Sequence, residues 1–515
     1  MKLASVSAAA TATALGGCSD PISEPPRTDA GADLGADLGA DLGADLGHDA
    51  PLDAPVDARE STDAGGLDAG RDVPVDAPVD VGTDRGVAPV DAGPARLASY
   101  REAGALFPFG VTAGDAAGDR VVFWCKTTTP TRLRLLVHEL RETSLARVAH
   151  DAVVAVGEGG FVKVDVGGLT RGARHEYAFC VVDPAGNIIE RSPVGAVRAA
   201  LADDALEVVR FAGMSCTHQR TRPFATLSHL ARNHSLDFVA HVGDLVYTDD
   251  GTDAETREAY RAKYAINYGT VGFQELFRAA GWYSTWDDHE VYDNWNAETF
   301  DPVRFEAARE TYFEHRPLRR PSEAPNRLWR SARWGRTLEV FTLDLRSERR
   351  PSTRTTAMST YVSRAQLDWL KAGLAASPAR WKFVLNPIPI FRSDNTSPYT
   401  DRWEGYAAQR NELLDHIVRS NLQNVWFLSG DLHYSAVIKV ENTGPRMGLY
   451  DVLMGFSNVA NTFGPGQTPE SQRDFLGAES NYTTFVADPA RGTLTVRFTN
   501  ASGAVLFERS YPAAP

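Results

Sequence analysis

No aromatic residue occurs between Ser19 and Ala95, and that absence sets the character of the stretch. It repeats Ala-Asp-Leu-Gly from Ala32 to Gly47 and then runs through Asp-Ala-Pro-Val variants. Nothing in it can bury enough apolar surface to offset the entropy of ordering a backbone, so a disordered acidic tether is expected, spanning on the order of 50 Å. The Asp/Gly spacing does not match the Gly-Gly-x-Gly-x-Asp nonapeptide of calcium-binding solenoids, which favours the tether. Net charge is missing from the remainder. Residues 19–95 hold 18 Asp/Glu against 4 Arg, a net of −14, which is the net charge of the whole 515-residue chain. The rest balances at 49 against 49. A folded part without net charge has no basic footprint for nucleic acid, and the acidity of the tether says nothing about a substrate. A long hydrophobic run is also lacking at the start. Met1-Lys-Leu leads into an Ala/Ser/Thr segment that is too short and too polar to cross a bilayer, and no twin-arginine pair precedes it.

That opening segment ends in Leu15-Gly-Gly-Cys18, which resembles the lipobox of bacterial lipoproteins. The resemblance implies a signal peptide over residues 1–18, general secretion, and a lipid on Cys18 that holds the protein at the cell envelope, in the periplasm or on the outer-membrane surface. Order begins near Arg96. Over residues 96–200, Phe107 to Asp115, Arg120 to Cys125, Leu133 to His138, Phe161 to Val166 and Glu176 to Val182 are short β-rich runs separated by turns. They read as a small all-β sandwich of the immunoglobulin or fibronectin kind. Cys125 and Cys180 both fall in its core strands, as a disulfide formed after export or as two buried thiols, the disulfide being slightly favoured.

From 206 to 515 strands alternate with helices, and the fold class is α/β with a substantial antiparallel share. Ser363-Arg-Ala-Gln366 is a capping box that opens a helix burying Leu367, Leu370 and Leu374. Phe224, Leu227 and Leu230 mark another helix, as do Leu413, Leu414 and Ile417. Residues 493–507 read as a hairpin. The Tyr- and Phe-rich insert from Ala254 to Gly281 is expected to be a packed helical cover, with a lid as the alternative. The central stretch is Asp237-Phe-Val-Ala-His-Val-Gly-Asp-Leu-Val-Tyr247, a buried strand that stops at Gly243 and Asp244. Ligands gather at the carboxyl ends of strands in such sheets. Four further apolar segments also end in metal-competent side chains: Cys216, Asp288, Asn386, and the pair Asp431 and His433. Cys216 and His433, with the Tyr247 phenol, suit iron, most plausibly ferric, whereas Asp288, Asn386 and Asp431 offer only oxygen and suit calcium, magnesium or manganese, with zinc a further option. Asp244 is placed to bridge. Two cations about 3.5–4 Å apart generate hydroxide and neutralise phosphate oxygens, which is what hydrolysis of a phosphate ester requires.

Gly243-Asp-Leu-Val-Tyr247, Asp287-Asp-His-Glu290 and Gly430-Asp-Leu-His433 resemble the Gly-Asp-x-x-Tyr, Gly-Asn-His-Glu and Gly-His-x-His blocks of the calcineurin-like metallophosphoesterases. Ser215-Cys216 in place of the usual first Asp, with Asp288, Asn386 and Asp431 as replacements, is similar to the PhoD-type alkaline phosphatases. Phe109 to Asp115, Val121 to Trp124 and Asp401 to Tyr406 extend the resemblance from about Leu106 to the C-terminus. It implies a metallophosphoesterase-like β-sandwich flanked by helices, with Fe3+ held by Cys216, Asp244, Tyr247 and His433 and Ca2+ by Asp244, Asp288, Asn386 and Asp431. It implies His289 as general acid or transition-state donor, and Arg346 as a clamp on a phosphate oxygen, with a salt bridge to Asp344 or Glu348 as the alternative. Two departures, Thr248-Asp249 after the tyrosine and Thr217-His218-Gln219 after Cys216, sit at the pocket edge and bear on substrate preference. The expected protein is an extracytoplasmic, monomeric phosphoesterase acting on mono- or diesters, nucleotide-type diesters included, through a metal-bridging hydroxide. The alternative is a non-catalytic, surface-anchored adhesive lipoprotein whose metal site serves stability.

Overall fold

The computed structural model describes residues 96–128, 132–141, 144–392, 401–458 and 468–514. The leader, Cys18 and the acidic repeat lie outside them. No helix among the described residues is long and apolar enough to cross a membrane.

Two sheets face each other. The larger runs in the order Val505–Pro512, Thr493–Asn500, Asn481–Asp488, Val209–Thr217, Phe238–Val242, Gly281–Thr285, Val111–Ala117, Arg120–Lys126, Phe161–Val166, with Gly455–Ser457 beside Val209–Thr217. The other runs Arg330–Trp334, Leu338–Thr342, Trp381–Leu385, Val425–Ser429, Tyr450–Leu453, Ser435–Lys439, Arg473–Gly477. At the centre of each sheet the strands are parallel. Phe238, Ala240 and Val242 face the core between the sheets and Val239 faces the other way, so the strand is covered on both sides. Its near-continuous apolar sequence follows from that double cover.

Phe211 is the packing centre. It is 1% exposed, stacks between Phe238 at 4.6 Å and Phe485 at 4.5 Å, and meets Phe383 of the facing sheet edge-on at 5.0 Å. Helices close both outer faces. Ala225–Asn233, Arg257–Tyr268, Val271–Ala279 and Pro302–His315 pack on Met214, Val239 and Trp282, while Arg364–Ala376 and Ala407–Arg419 pack on Phe341, Val384 and Phe427. Ser363 caps its helix, its hydroxyl accepting from Gln366 N at 3.2 Å, but the reciprocal half of the box is taken over by Glu348, which accepts from Ser363 N at 3.0 Å while the Gln366 amide turns to Asp344 and Glu348. The insert after Ala254 folds into two of these helices, burying Tyr260, Tyr264, Tyr268, Phe273 and Phe277. The final hairpin forms and gains a third strand, Asn481–Asp488.

Over residues 96–200 the strands Leu133–Arg141, Ser144–Val154, Arg174–Val182, Ile188–Arg191 and Gly195–Arg198 make a separate sheet. Its partner layer is Val111–Ala117, Arg120–Lys126 and Phe161–Val166, and that layer is continuous with the larger sheet, since Ala113 pairs in parallel with Gly281. The favoured disulfide does not form. Cys125 and Cys180 are free buried thiols, because Cys125 points into the main core whereas Cys180 points to the far side of its strand, with Leu97, Leu136 and Ala178.

Two outcomes are expected. Phe211→Ala should cost about 3–5 kcal/mol in urea unfolding, as deleting a fully packed ring does, and a loss within error of zero would refute its place at the packing centre. Thiol titration of protein denatured without reductant should find Cys125 and Cys180 both reactive.

Candidate metal centre

Five neighbouring strand ends deliver the predicted residues. Val209–Thr217, Phe238–Val242 and Gly281–Thr285 lie side by side and carry Cys216, Asp244 and Asp288 at or just past their carboxyl ends, and Trp381–Leu385 and Val425–Ser429 of the facing sheet carry Asn386 and Asp431. Glycine lets them converge. Gly243 has φ +108°, and a Cβ there would stand 2.5 Å from Asp287 Cβ; one on Gly430 would stand 2.5 Å from Ser215 Cβ, where the two sheets meet. Cys216, Asp244, Asp431 and His433 themselves have φ of 52°, 56°, 67° and 50°. Left-handed backbone costs a non-glycine residue about 1–2 kcal/mol, and such strain collects at functional sites.

Around Asp244 two groups of donor atoms form, each within 4.8 Å of one another: Cys216, Asp244 and His433 on one side, Asp244, Asp288 and His289 on the other. The Cys216 thiol donates to Asp244 Oδ2 at 3.4 Å. Tyr247 Oη lies 3.0 Å from His433 Nε2, which brings the phenol into the first group. Asn458 was not anticipated. Its Nδ2 reaches Tyr247 Oη at 2.8 Å and His433 Nε2 at 3.1 Å, from a segment with no motif of its own. Asp431 belongs to neither tight group; the charges it feels most are Asp287, Asp401 and Asp288. Asn386 is fully buried, its Oδ1 accepting from Trp403 Nε1 at 2.9 Å.

Arg346, the expected phosphate clamp, is tied into the acidic turn. It is 0% exposed and donates through Nε to Asp287 Oδ1 at 2.6 Å, with Asp288 and Asp401 carboxylates 3.5 Å from Nη2. Asp344 accepts the Arg346 backbone N–H, so the local pairing with Asp344 is through the main chain. The guanidinium thus braces the acidic turn from behind. Glu290 braces it from within, its carboxylate accepting from Asp244 N at 3.1 Å, Leu245 N at 2.7 Å and Asp287 N at 2.9 Å. His289 Nδ1 lies 2.9 Å from both Asp249 oxygens, its ring 4.1 Å from the Tyr247 ring. The departure at Asp249 is therefore the partner of the proposed donor.

The donor set fits cations. Asp244, Asp287, Asp288, Asp431 and Glu290 crowd a pocket whose cations are Arg346 and His289, and Asp287 Oδ2 is buried with no hydrogen-bond partner. Burial, then the Asp288 charge, pushes Asp244 far above the usual carboxylate range, and burial with Asp287 does the same to Asp431. Added positive charge would relieve both. Burial and His289 hold His433 down at about 4, the neutral form that ligates metal. Burial opposes protonation of His289, but Asp288, Asp244 and Asp249 outweigh it and raise it well above the ordinary value.

Glu290→Gln would set an NH2 among three N–H donors. We expect a loss of about 1–3 kcal/mol in unfolding free energy and a fall in bound metal per chain by elemental analysis; an unchanged midpoint and metal content would remove Glu290 from its bracing role.

Comparison with known proteins identifies the fold and the family. A solved structure of PhoD superposes with a TM-score of 0.67 at 21% identity, covering 80% of this chain and 90% of that one. Purple acid phosphatase PPD1 from yellow lupin (Lupinus luteus) seeds gives 0.56 at 12% identity, covering 78% and 73%. Both show the fold, a metallophosphoesterase-like β-sandwich flanked by helices. Alkaline phosphatase D of Bacillus subtilis (strain 168) is 28% identical, the match spanning 64% of this chain and 64% of that relative's length, just short of two thirds. The model of the PhoD-like phosphatases matches residues 211–503, more than half of the sequence, and the chain belongs to the PhoD-like phosphatase family.

Proposed function

We propose that this chain is an extracytoplasmic metal-dependent phosphoesterase, tethered to the cell envelope through a lipid on Cys18 and hydrolysing phosphate mono- or diesters. The observation that carries the reading is the convergence on Asp244 of a sulfur- and imidazole-bearing group on one side and an oxygen-rich group on the other. Cys216, Asp244, Tyr247 and His433 would hold ferric iron, whose affinity for thiolate, phenolate and imidazole matches that set. Asp244, Asp288, Asn386 and Asp431 would hold a hard ion, calcium first. When bound, such a pair supplies Lewis acidity: it lowers the pKa of water and offsets the charge of phosphate oxygens.

The chain's own residues prepare the rest. Asp249 occupies Nδ1 of His289 and leaves Nε2 to carry a proton toward the leaving oxygen. Tyr247 packs against the same ring, tilted by 33°, and limits its rotation. Arg346 and Glu290 hold the turn that presents Asp288, so they act by placing ligands. The purified protein should contain iron and a second metal. Asp288→Ala should retain iron, lose the second ion and abolish hydrolysis of both p-nitrophenyl phosphate and its bis ester. An undiminished rate in that variant would end the catalytic assignment. The ratio of the two wild-type rates assigns mono- or diester preference.

A further inference from the structure

Asn386 can attract a cation through Oδ1 or repel it through Nδ2, so its value as a ligand depends on which way the amide faces. Neighbouring polar atoms make that choice. Nδ2 donates to the Ile388 carbonyl at 2.5 Å and to Ser429 Oγ at 3.2 Å. Ser429 is available as an acceptor there because its own proton is engaged elsewhere, donated to Asp451 Oδ1 at 2.6 Å. The second Asp451 oxygen accepts from Ile390 N at 2.7 Å and Phe391 N at 3.2 Å, in the segment just past Asn386. Asn386, Ser429 and Asp451 are each 0% exposed, so bulk solvent does not reach these bonds. They sit on or beside three adjacent parallel strands, Trp381–Leu385, Val425–Ser429 and Tyr450–Leu453. A carboxylate only accepts, a hydroxyl has one proton, and an amide NH2 only donates; with Asp451 ionised, the polarity of the row can run in one direction alone. Trp403 Nε1 uses one lone pair of Oδ1 and leaves the other.

We propose that Asp451 and Ser429 are positioning residues that set the amide of Asn386 with its oxygen toward the hard cation. The inference rests on the metal-centre reading above and extends it to residues outside the ligand set. Asp451→Asn keeps the side-chain size but lets residue 451 donate to Ser429, whose proton then turns to Asn386 and works against the orientation that the Ile388 carbonyl and Trp403 Nε1 support. Ser429→Ala removes the relay yet leaves the Ile388 carbonyl to hold Nδ2.

The test is calcium titration of the iron-containing protein by calorimetry, with iron per chain measured in parallel. Asp451→Asn should weaken calcium binding at least tenfold, in the range typical for residues that orient metal ligands, with iron content unchanged. Ser429→Ala should show a smaller but measurable loss. Wild-type calcium affinity in an iron-replete Asp451→Asn protein overturns the proposal, as does a Ser429→Ala loss equal to or larger than that of Asp451→Asn, which would mark packing as the cause. Should Asp451→Asn fail to fold, Ser429→Ala decides alone, and wild-type affinity there overturns it. Asp288→Ala is the control: if it too binds calcium normally, the metal-centre reading itself has failed.

Discussion

Three main-chain N–H groups, from Asp244, Leu245 and Asp287, converge on one fully buried carboxylate, Glu290. That contact ties the turn after Phe238–Val242 to the turn after Gly281–Thr285. Strand pairing has already ended at Thr285, and the other links between the turns, such as His289 N to Asp244 Oδ1 at 3.3 Å and Thr248 N to the His289 carbonyl at 2.9 Å, each engage a single donor. Burial drives the Glu290 carboxyl up to about 7, although the three N–H donors pull the other way. The brace is thus electrostatically expensive. It is sustained because charge-assisted bonds to backbone amides are roughly twice as strong as neutral ones. The same balance governs Asp287, where Arg346 works against burial, and it explains why a cluster of carboxylates can exist at all before any cation arrives.

The four left-handed residues show what the brace accomplishes. Cys216, Asp244, Asp431 and His433 hold left-handed backbone at or just past the ends of their strands, where the donor atoms gather. Their combined strain is a few kcal/mol. It is offset by the core further back in the same sheets, where Phe211, Phe238, Phe383 and Phe485 lock the two sheets together. Rigid scaffold and strained rim are one construction: a softer core would let the rim relax and the donor atoms separate.

Most of the scaffold was legible in the sequence, because apolar runs bounded by turns and a capping box at Ser363 are local signals with a fixed period. The converging strand ends were legible for the same reason. What was hidden depends on residues far apart in the chain. For Arg346 the sequence offers a phosphate clamp or, as the alternative, a salt bridge to nearby Asp344 or Glu348, whereas its guanidinium pairs with Asp287, 59 residues away. Asn458 carries no motif, and only folding brings it to Tyr247 and His433. Asp249 stands out in the sequence only as a departure after the tyrosine, and its pairing with His289 depends on the distance between two turns, which neither turn encodes alone. The cysteines failed differently: strand periodicity gives the alternation of faces but not which sheet, or which side of it, each thiol would meet.

The N-terminal sandwich supplies none of the site residues, yet the site leans on it. Gly281–Thr285 delivers Asp287 and Asp288, and its outer neighbour in the sheet is Val111–Ala117, paired in parallel through Ala113 with Gly281 and Gly114 with Trp282. Were that neighbour absent, Gly281–Thr285 would be an edge strand with unpaired backbone groups and weaker hold on its register. A shift of one residue would turn Trp286 to the wrong face and move the acidic turn by a full step along the strand. Asp115 strengthens the join by accepting from Arg319 N at 2.9 Å and pairing with Arg330 at 3.1 Å, from the connection that leads into the facing sheet. The sandwich is therefore part of what fixes the distance between Asp244 and Asp288, and the chemistry at one end of the sheet depends on pairing at its flank.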